Sequence, residues 1–360
     1  MYAYHDVQTL HLEPTTACNA RCPMCARNES GGRVNPKLKL THLSRENIER
    51  FFPYSFRKGL KKLLLCGNFG DPAAAPELLE IVRVFREASP EIKIHINSNG
   101  GLRSPDFWKE LASLVDRCAF GIDGLEDTNH LYRQGVSWKK LIENVSSFIS
   151  SGGLAEWHYL IFSHNEHQVD QAEGLAKQLG FETFQAKVTS RFFRSQSGQV
   201  SPEFAVRNLD GEISHYLAPP RQERFQNKAL IHAKSVNWLQ HLDKCKIQCR
   251  AMDERGIYVS ATGEVYPCCW LGQESWLSSF DQLRTSLRQL MNERGVAKHE
   301  LSLHNKSLEE IVNGPLFQTH IPESWKVDSD STRLRTCAKT CGQQLNFFEA
   351  QFLKNEEPLV

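Results

Sequence analysis

Six short apolar runs alternate with segments of helical periodicity over the first half of the chain, and few folds accommodate that rhythm. The runs occupy residues 7–12, 62–66, 92–97, 118–122, 158–162 and 183–188. The second, Lys62-Leu63-Leu64-Leu65-Cys66, is apolar almost throughout, as expected of a strand covered on both faces of a parallel sheet. Ser44 precedes a helical segment with Ile48, Phe51 and Phe52 on its apolar side, closed by Pro53. Pro76 opens another with Leu78, Ile81, Val82 and Phe85, and Ser104-Pro105 a third with Trp108, Leu111 and Val115. Ser137 caps a fourth, and Val169 to Leu179 marks a fifth, stopped by Gly180. Such alternation predicts a parallel α/β sheet with helices outside, either curled into a barrel or open and doubly wound. In both cases chemistry belongs beyond the carboxyl ends of the strands.

The loop after the first run carries Cys18, Cys22 and Cys25 in a C-x3-C-x2-C arrangement. Three thiolates this close can wrap one compact metal centre, but a closed structural zinc site takes four protein ligands. A cubane iron–sulfur cluster held by three thiolates keeps one iron open, and an open iron is a place for a substrate or cofactor to bind. On spacing alone, a zinc knuckle or three unrelated thiols is the plainer alternative.

In this motif the sequence resembles the radical S-adenosylmethionine (SAM) enzymes. The resemblance implies a [4Fe–4S] cluster on Cys18, Cys22 and Cys25 and SAM chelated to its open iron. It further implies an external electron donor and a 5′-deoxyadenosyl radical that takes hydrogen from a substrate. The six units then fit a partial (β/α)6 TIM-like barrel over residues 1–190. One departure is Met24, where the family often has an aromatic residue; an apolar, polarizable side chain there still suits contact with adenine. Asn68, Gly70 and Asp71 resemble the family's G-G-E motif, which holds the SAM amino group, although Asn68-Phe69 intervenes and Asp replaces Glu. Ser98 and Asn99, before Gly100, resemble its T-N-G segment, which meets the cofactor's ribose or carboxylate. Asp123 suits ribose hydroxyls, and Arg133 suits the SAM carboxylate as a bidentate partner. A Gly-Asp-Pro turn, an Asn-Gly turn and an ordinary surface arginine are the structural alternatives for these stretches. Cys66 and Cys118 lack ligand spacing and read as buried core thiols.

Residues 191–243 are rich in Arg, Gln, Ser and Pro and read as a bridge that partly wraps the barrel. Arg191, Arg194, Arg221 and Arg224 are either solvated there or face a substrate carboxylate. Cysteines return at positions 245, 249, 268, 269, 337 and 341. Two short apolar runs, 256–260 and 264–266, flank Ala261-Thr262-Gly263 as a hairpin. Cys249, Gly263 and Cys268 fit C-x13-G-x4-C, which resembles the start of the SPASM and twitch extensions with their auxiliary iron–sulfur clusters. The resemblance and the cysteine count imply one auxiliary [4Fe–4S] cluster on Cys249, Cys268, Cys337 and Cys341, in a small α+β domain over residues 244–354. Cys245 and Cys269 are reserves, and a four-cysteine zinc site is the alternative. A helix is expected over 280–291 and a frayed tail over 355–360.

Forty-three Lys and Arg against 42 Asp and Glu give a net charge of +1, which argues against an electrostatic grip on nucleic acid. No apolar run approaches the ~20 residues of a membrane span, and the first residues lack a signal-peptide pattern. Eleven cysteines in that setting favour metal binding in a reducing cytoplasm over disulfides. The expected activity is oxidative modification of a substrate, with a ribosomally made peptide as first choice. Dehydrogenation or epimerisation of a sugar or aminoglycoside-type small molecule is the alternative. From a different class, the chain reads as a non-catalytic, zinc-stabilised binding protein. The sequence singles out no catalytic acid or base.

Overall fold

The computed structural model describes residues 1–194, 198–274, 286–326, 332–343 and 349–353. Six strands, β1 (Thr9–Leu12), β2 (Lys62–Leu65), β3 (Lys93–Ser98), β4 (Arg117–Gly121), β5 (Ala155–Ile161) and β6 (Thr183–Val188), lie parallel and in sequence order. Between them run α1 (Arg45–Phe51), α2 (Tyr54–Gly59), α3 (Leu78–Ala88), α4 (Pro105–Leu114), α5 (Asn129–Tyr132), α6 (Trp138–Ser150) and α7 (Val169–Leu179). A doubly wound sheet reverses its strand order at a switch point; this sheet never reverses, as in a partial barrel.

Local chemistry sets the boundaries. The Ser44 and Ser137 hydroxyls accept the amides of Asn47 and Lys140, capping α1 and α6. The helix expected from Pro76 starts at Leu78, because Pro72–Ala74 form a separate 3-10 turn whose cap is the Asp71 carboxylate. β5 begins at Ala155, ahead of the expected position 158, with polar Glu156 and His158 alternating with buried Trp157, Tyr159 and Ile161. That alternation separates the helix-covered face from an inner, polar one. Under the helices, Trp108, Phe120, Phe148 and Phe181 stack edge-on or tilted into one layer, each worth about 1.5–3 kcal/mol of burial.

The bridge is folded. It holds two antiparallel pairs, β7 (Phe193–Arg194) with β8 (Gln199–Val200) and β9 (Phe204–Arg207) with β10 (Ile213–Leu217), then α8 (Lys228–Ser235) and α9 (Trp238–Lys244). It wraps the barrel mouth: the Arg207 amide donates to the Ser30 carbonyl at 2.8 Å, and the Ser163 amide to the Ala218 carbonyl at 3.0 Å.

After α10 (Arg250–Asp253) comes the expected hairpin, β11 (Gly256–Val259) and β12 (Val265–Tyr266). β11 pairs in parallel with β1, so the hairpin extends the barrel sheet to eight strands in the order β12-β11-β1-β2-β3-β4-β5-β6. Among the described residues that follow, the α-helices are α11 (Cys269–Glu274), α12 (Leu287–Glu293), α13 (Leu308–Val312), α14 (Ile321–Glu323) and α15 (Arg335–Cys341). Residues 280–285 of the expected helix, and the tail 355–360, lie outside the described residues. At the other sheet edge Phe352 bridges antiparallel to Lys187 of β6. Among the described residues no helix is long and apolar enough to cross a membrane.

Candidate active site

β1 ends at Leu12, and the loop that follows folds over the carboxyl ends of the strands. Its first residue, Glu13, is fully buried. One carboxylate oxygen accepts the amides of Phe69 (2.7 Å) and Gly70 (3.1 Å), and the other accepts the Tyr258 hydroxyl of β11. Burial pushes the Glu13 carboxyl up to about 7, against the pull of those donors. Glu13 thus ties the loop after β2 and the neighbouring strand to the root of the cysteine loop. Gly70 is needed for this approach, since a Cβ there would overlap the Thr15 carbonyl.

Cys18, Cys22 and Cys25 all carry free thiols on this loop. The Ala20 amide donates to Cys18 Sγ at 3.3 Å and Asn99 Nδ2 faces the same sulfur at 3.6 Å; Arg133 Nη1 lies 3.9 Å from Cys22 Sγ. Burial raises the Cys18 thiol, and the nearby Asp71 carboxylate and Cys22 add to it. Burial pushes Cys22 up to about 11 although the Arg133 guanidinium opposes it. Among the described residues no group of three or more His, Cys, Asp and Glu side chains is placed to hold a metal ion. The donor set nevertheless suits an iron–sulfur cluster: three unpaired thiols on one loop, mutually repulsive as thiolates, with N–H donors aimed at two of the sulfurs.

The other expected cofactor contacts gather around the same loop. Asp71 is buried; Oδ1 accepts Ser98 Oγ (2.8 Å) and the Ala73 amide (3.0 Å), while Oδ2 accepts the Asn99 amide (2.7 Å). A carboxylate has about four acceptor directions, so one remains on Oδ2. Asn99 also donates to Asn19 at 2.9 Å. Asp123 and Arg133, expected as separate contacts, form one ion pair of 2.6 Å, and the second Asp123 oxygen accepts the Leu160 amide. Gly121 leaves the space that the guanidinium fills. Asn68 Nδ2 donates to the Cys269 carbonyl at 2.8 Å, and Met24 presents its carbonyl to Arg191 at 2.7 Å. Of the other bridge arginines, Arg224 pairs with Asp170 on an exposed face, only the backbone amide of Arg221 is bonded, to Glu166, and nothing is described of the Arg194 side chain.

Cys118 is a core thiol as expected. Cys66 is not: it sits past the end of β2, half-buried on the inner face, where Asn97 Nδ2 approaches its sulfur at 3.5 Å.

Cys249, Cys268, Cys337 and Cys341 lie near enough to one another to interact electrostatically. Burial pushes Cys249 up to about 11, with Cys341 adding to the rise, while the amides of Ala251 and Met252 at the start of α10 favour its thiolate. Cys268 and Cys337 are raised well above an ordinary thiol, by burial and then by their fellow cysteines. Cys337 and Cys341 stand one turn apart on α15. Cys245 is elsewhere, in a satellite core with Phe193, Trp238 and Leu242. Cys269 turns toward Arg250, Glu13 and Cys66.

The sequence of residues 12–176 matches the radical SAM superfamily. Residues 12–176 are a radical SAM domain. The chain is also 29% identical over 130 residues to the tungsten-containing aldehyde ferredoxin oxidoreductase cofactor-modifying protein of Pyrococcus furiosus. That match covers 35% of the chain and about a third, 33%, of the relative. Among solved structures, anSMEcpe with bound AdoMet superposes with a TM-score of 0.56 at 14% identity, covering 95% of each chain. Streptococcus suis SuiB bound to its precursor peptide SuiA gives 0.56 at 13% identity, covering 98% of this chain and 76% of SuiB. At such identities the likeness is one of fold. Glu13 and the paired inner-face residues of β5 and β6 were given no role in the sequence reading, and Arg191, expected to be solvated or to face a substrate carboxylate, instead donates to the Met24 carbonyl. Glu13 carried a visible signal, an acid at the end of an apolar strand just before the cysteines.

Proposed function

We propose that Cys18, Cys22 and Cys25 hold a [4Fe–4S] cluster, that SAM binds beside it, and that the enzyme takes a hydrogen atom from a substrate with net oxidation. The observation that carries this reading is the three-thiol loop at the carboxyl ends of parallel strands, faced by Asn99, Asp71 and Arg133. When bound, the cluster and SAM supply an electron, from an external donor, and a deoxyadenosyl radical. The chain supplies position and charge. Asp71 keeps one acceptor direction for the SAM ammonium, with Ser98 and Asn99 fixing its carboxylate. Arg133, clamped by buried Asp123, offers its remaining N–H groups to a carboxylate. Met24, Asn68 and Gly70 would complete the contacts to SAM.

Cys249, Cys268, Cys337 and Cys341 would hold a second cluster, in a domain of the SPASM or twitch kind over residues 244–354. Four thiolate ligands leave no open iron, so such a cluster suits an electron acceptor, which favours oxidation. A peptide is the substrate class this fold supports best: the SuiB structure contains the precursor peptide SuiA, and anSMEcpe has been solved with AdoMet and the Cp18Cys peptide. All eleven cysteines are free, which suits a reducing cytoplasm.

The test is anaerobic reconstitution, with iron counted per chain, then reduction with SAM and assay for 5′-deoxyadenosine. The expected result is about eight irons and deoxyadenosine formation. About four irons with deoxyadenosine would remove the second cluster. Colourless protein with stoichiometric zinc and no deoxyadenosine would make this a zinc-stabilised binding protein.

A further inference from the structure

The inner face of the barrel holds a row of ionisable side chains that the reading above does not use. Arg117 Nη1 donates to Glu156 Oε1 at 2.7 Å, Glu156 Oε2 meets His158 Nε2 at 3.1 Å, and His158 Nδ1 meets Lys187 Nζ at 3.0 Å. Strand register makes the row a climb. Glu156 is level with Ala119, His158 with Gly121 at the end of β4, and Lys187 with Leu160, whose amide donates to Asp123. Each step rises toward the carboxyl ends of the strands, by about 3.3 Å per residue. The lower end is open to water, with the Arg117 and Glu156 side chains 29% and 22% exposed. The upper end lies beside Asp123, the clamp of Arg133.

The hydrogen bonds fix the roles. An ammonium on Lys187 can only donate, so His158 Nδ1 accepts; Nε2 then carries the ring proton and donates to the Glu156 carboxylate. Both links from Lys187 to Glu156 therefore place the proton donor on the site side and the acceptor on the floor side.

We propose that Lys187, His158 and Glu156 form a proton exit from the reaction site to the floor of the barrel, with Lys187 as the group that accepts a proton from the substrate. This rests on the oxidative reading above. In one turnover the substrate would lose a hydrogen atom from carbon to the deoxyadenosyl carbon, a proton to the neutral Lys187 amine, and an electron to the cluster that Cys249, Cys268, Cys337 and Cys341 would hold. Two hydrogens and two electrons leave in all, and one new double or ring bond remains. Lys187 then passes its proton to His158 Nδ1 while the Nε2 proton moves to Glu156 and out to water.

The surroundings suit an amine that changes charge. Burial pushes the Lys187 ammonium down to about 8; Asp123, Glu156 and Cys66 favour the charged form, and Arg133 opposes it. Its other neighbours are His158 and the ring of Phe352, 5.1 Å away. A lysine in open solvent stays charged to about pH 10.4.

The experiment needs no substrate. The full chain, anaerobically reconstituted, is labelled with a trace of acetic anhydride from pH 6 to 11, and acetylation at Lys187 is compared by mass spectrometry with that at exposed Lys139. Lys187 should show its midpoint about 2 pH units below Lys139, and Glu156→Gln, which removes a charge that favours the ammonium, should lower it further. A Lys187 midpoint equal to that of Lys139, or one unmoved by Glu156→Gln, overturns the proposal. If Glu156→Gln does not fold, His158→Asn replaces it, with the Lys187 midpoint again required to move. Deoxyadenosine formation, scored on the same preparation, fails separately if the radical reading is wrong.

Discussion

Glu13 makes no contact that the sequence reading asked for, yet it organises the site. Its carboxyl binds protons more tightly in the folded chain, with a pKa near 7, than in the unfolded one, near 4.3. The folded state therefore holds the extra proton between those values, and stability falls as pH rises through 7. The expected loss between pH 5 and pH 7.5 is on the order of 2–3 kcal/mol from this residue. Glu13→Gln can accept the same two amides and donate to Tyr258 Oη, so its chemical-denaturation curve should lose that pH slope. An unchanged slope would place the charge elsewhere. Gly70 is the complementary case: Gly70→Ala forces the loop after β2 away from Thr15, so the iron kept after desalting should drop by about half, the share that Cys18, Cys22 and Cys25 would hold, while far-ultraviolet circular dichroism stays native.

At the scale of elements, caps and thiols make separable predictions. Ser137→Ala removes the acceptor for the Lys140 amide and should cost about 1 kcal/mol without touching iron content. Cys268→Ala should halve the iron, whereas Cys245→Ala, in the satellite core, should keep all of it and lose only packing energy. The strands and helices of the barrel were legible because their apolar spacing is unbroken. The start of β5 was not, since Glu156 and His158 point into a polar interior and mask the strand. The cysteine loop stood out by its spacing, and its place just after β1 followed from the apolar run before it. The pairing of Asp123 with Arg133 was not, because ten residues and a short helix separate them and only the folded loop closes the distance. Arg191 was legible only as one of several arginines in a segment of solvent-like composition, and the bridge folding back on Met24 sets it apart.

For the whole molecule, the telling feature is that β1 has β2 on one side and β11 on the other. The hairpin that precedes Cys268 thus continues the sheet that precedes Cys18. A fragment of residues 1–243 would leave β1 as a bare apolar edge and Glu13 without Tyr258, so it should aggregate on expression where the full chain stays dispersed. A monodisperse fragment would show that the barrel closes alone.

The same pairing sets an order of events. β1 and β11 are about 250 residues apart in the chain, so their contact pays one of the largest loop-closure entropies available to it. During synthesis Cys18, Cys22 and Cys25 emerge early, but the strand that completes their support emerges late. The thiol loop therefore waits, accessible and unsupported, until β11 has been made. Delivery of iron and sulfide then belongs after translation, when the last strand of the sheet has arrived to hold the loop still.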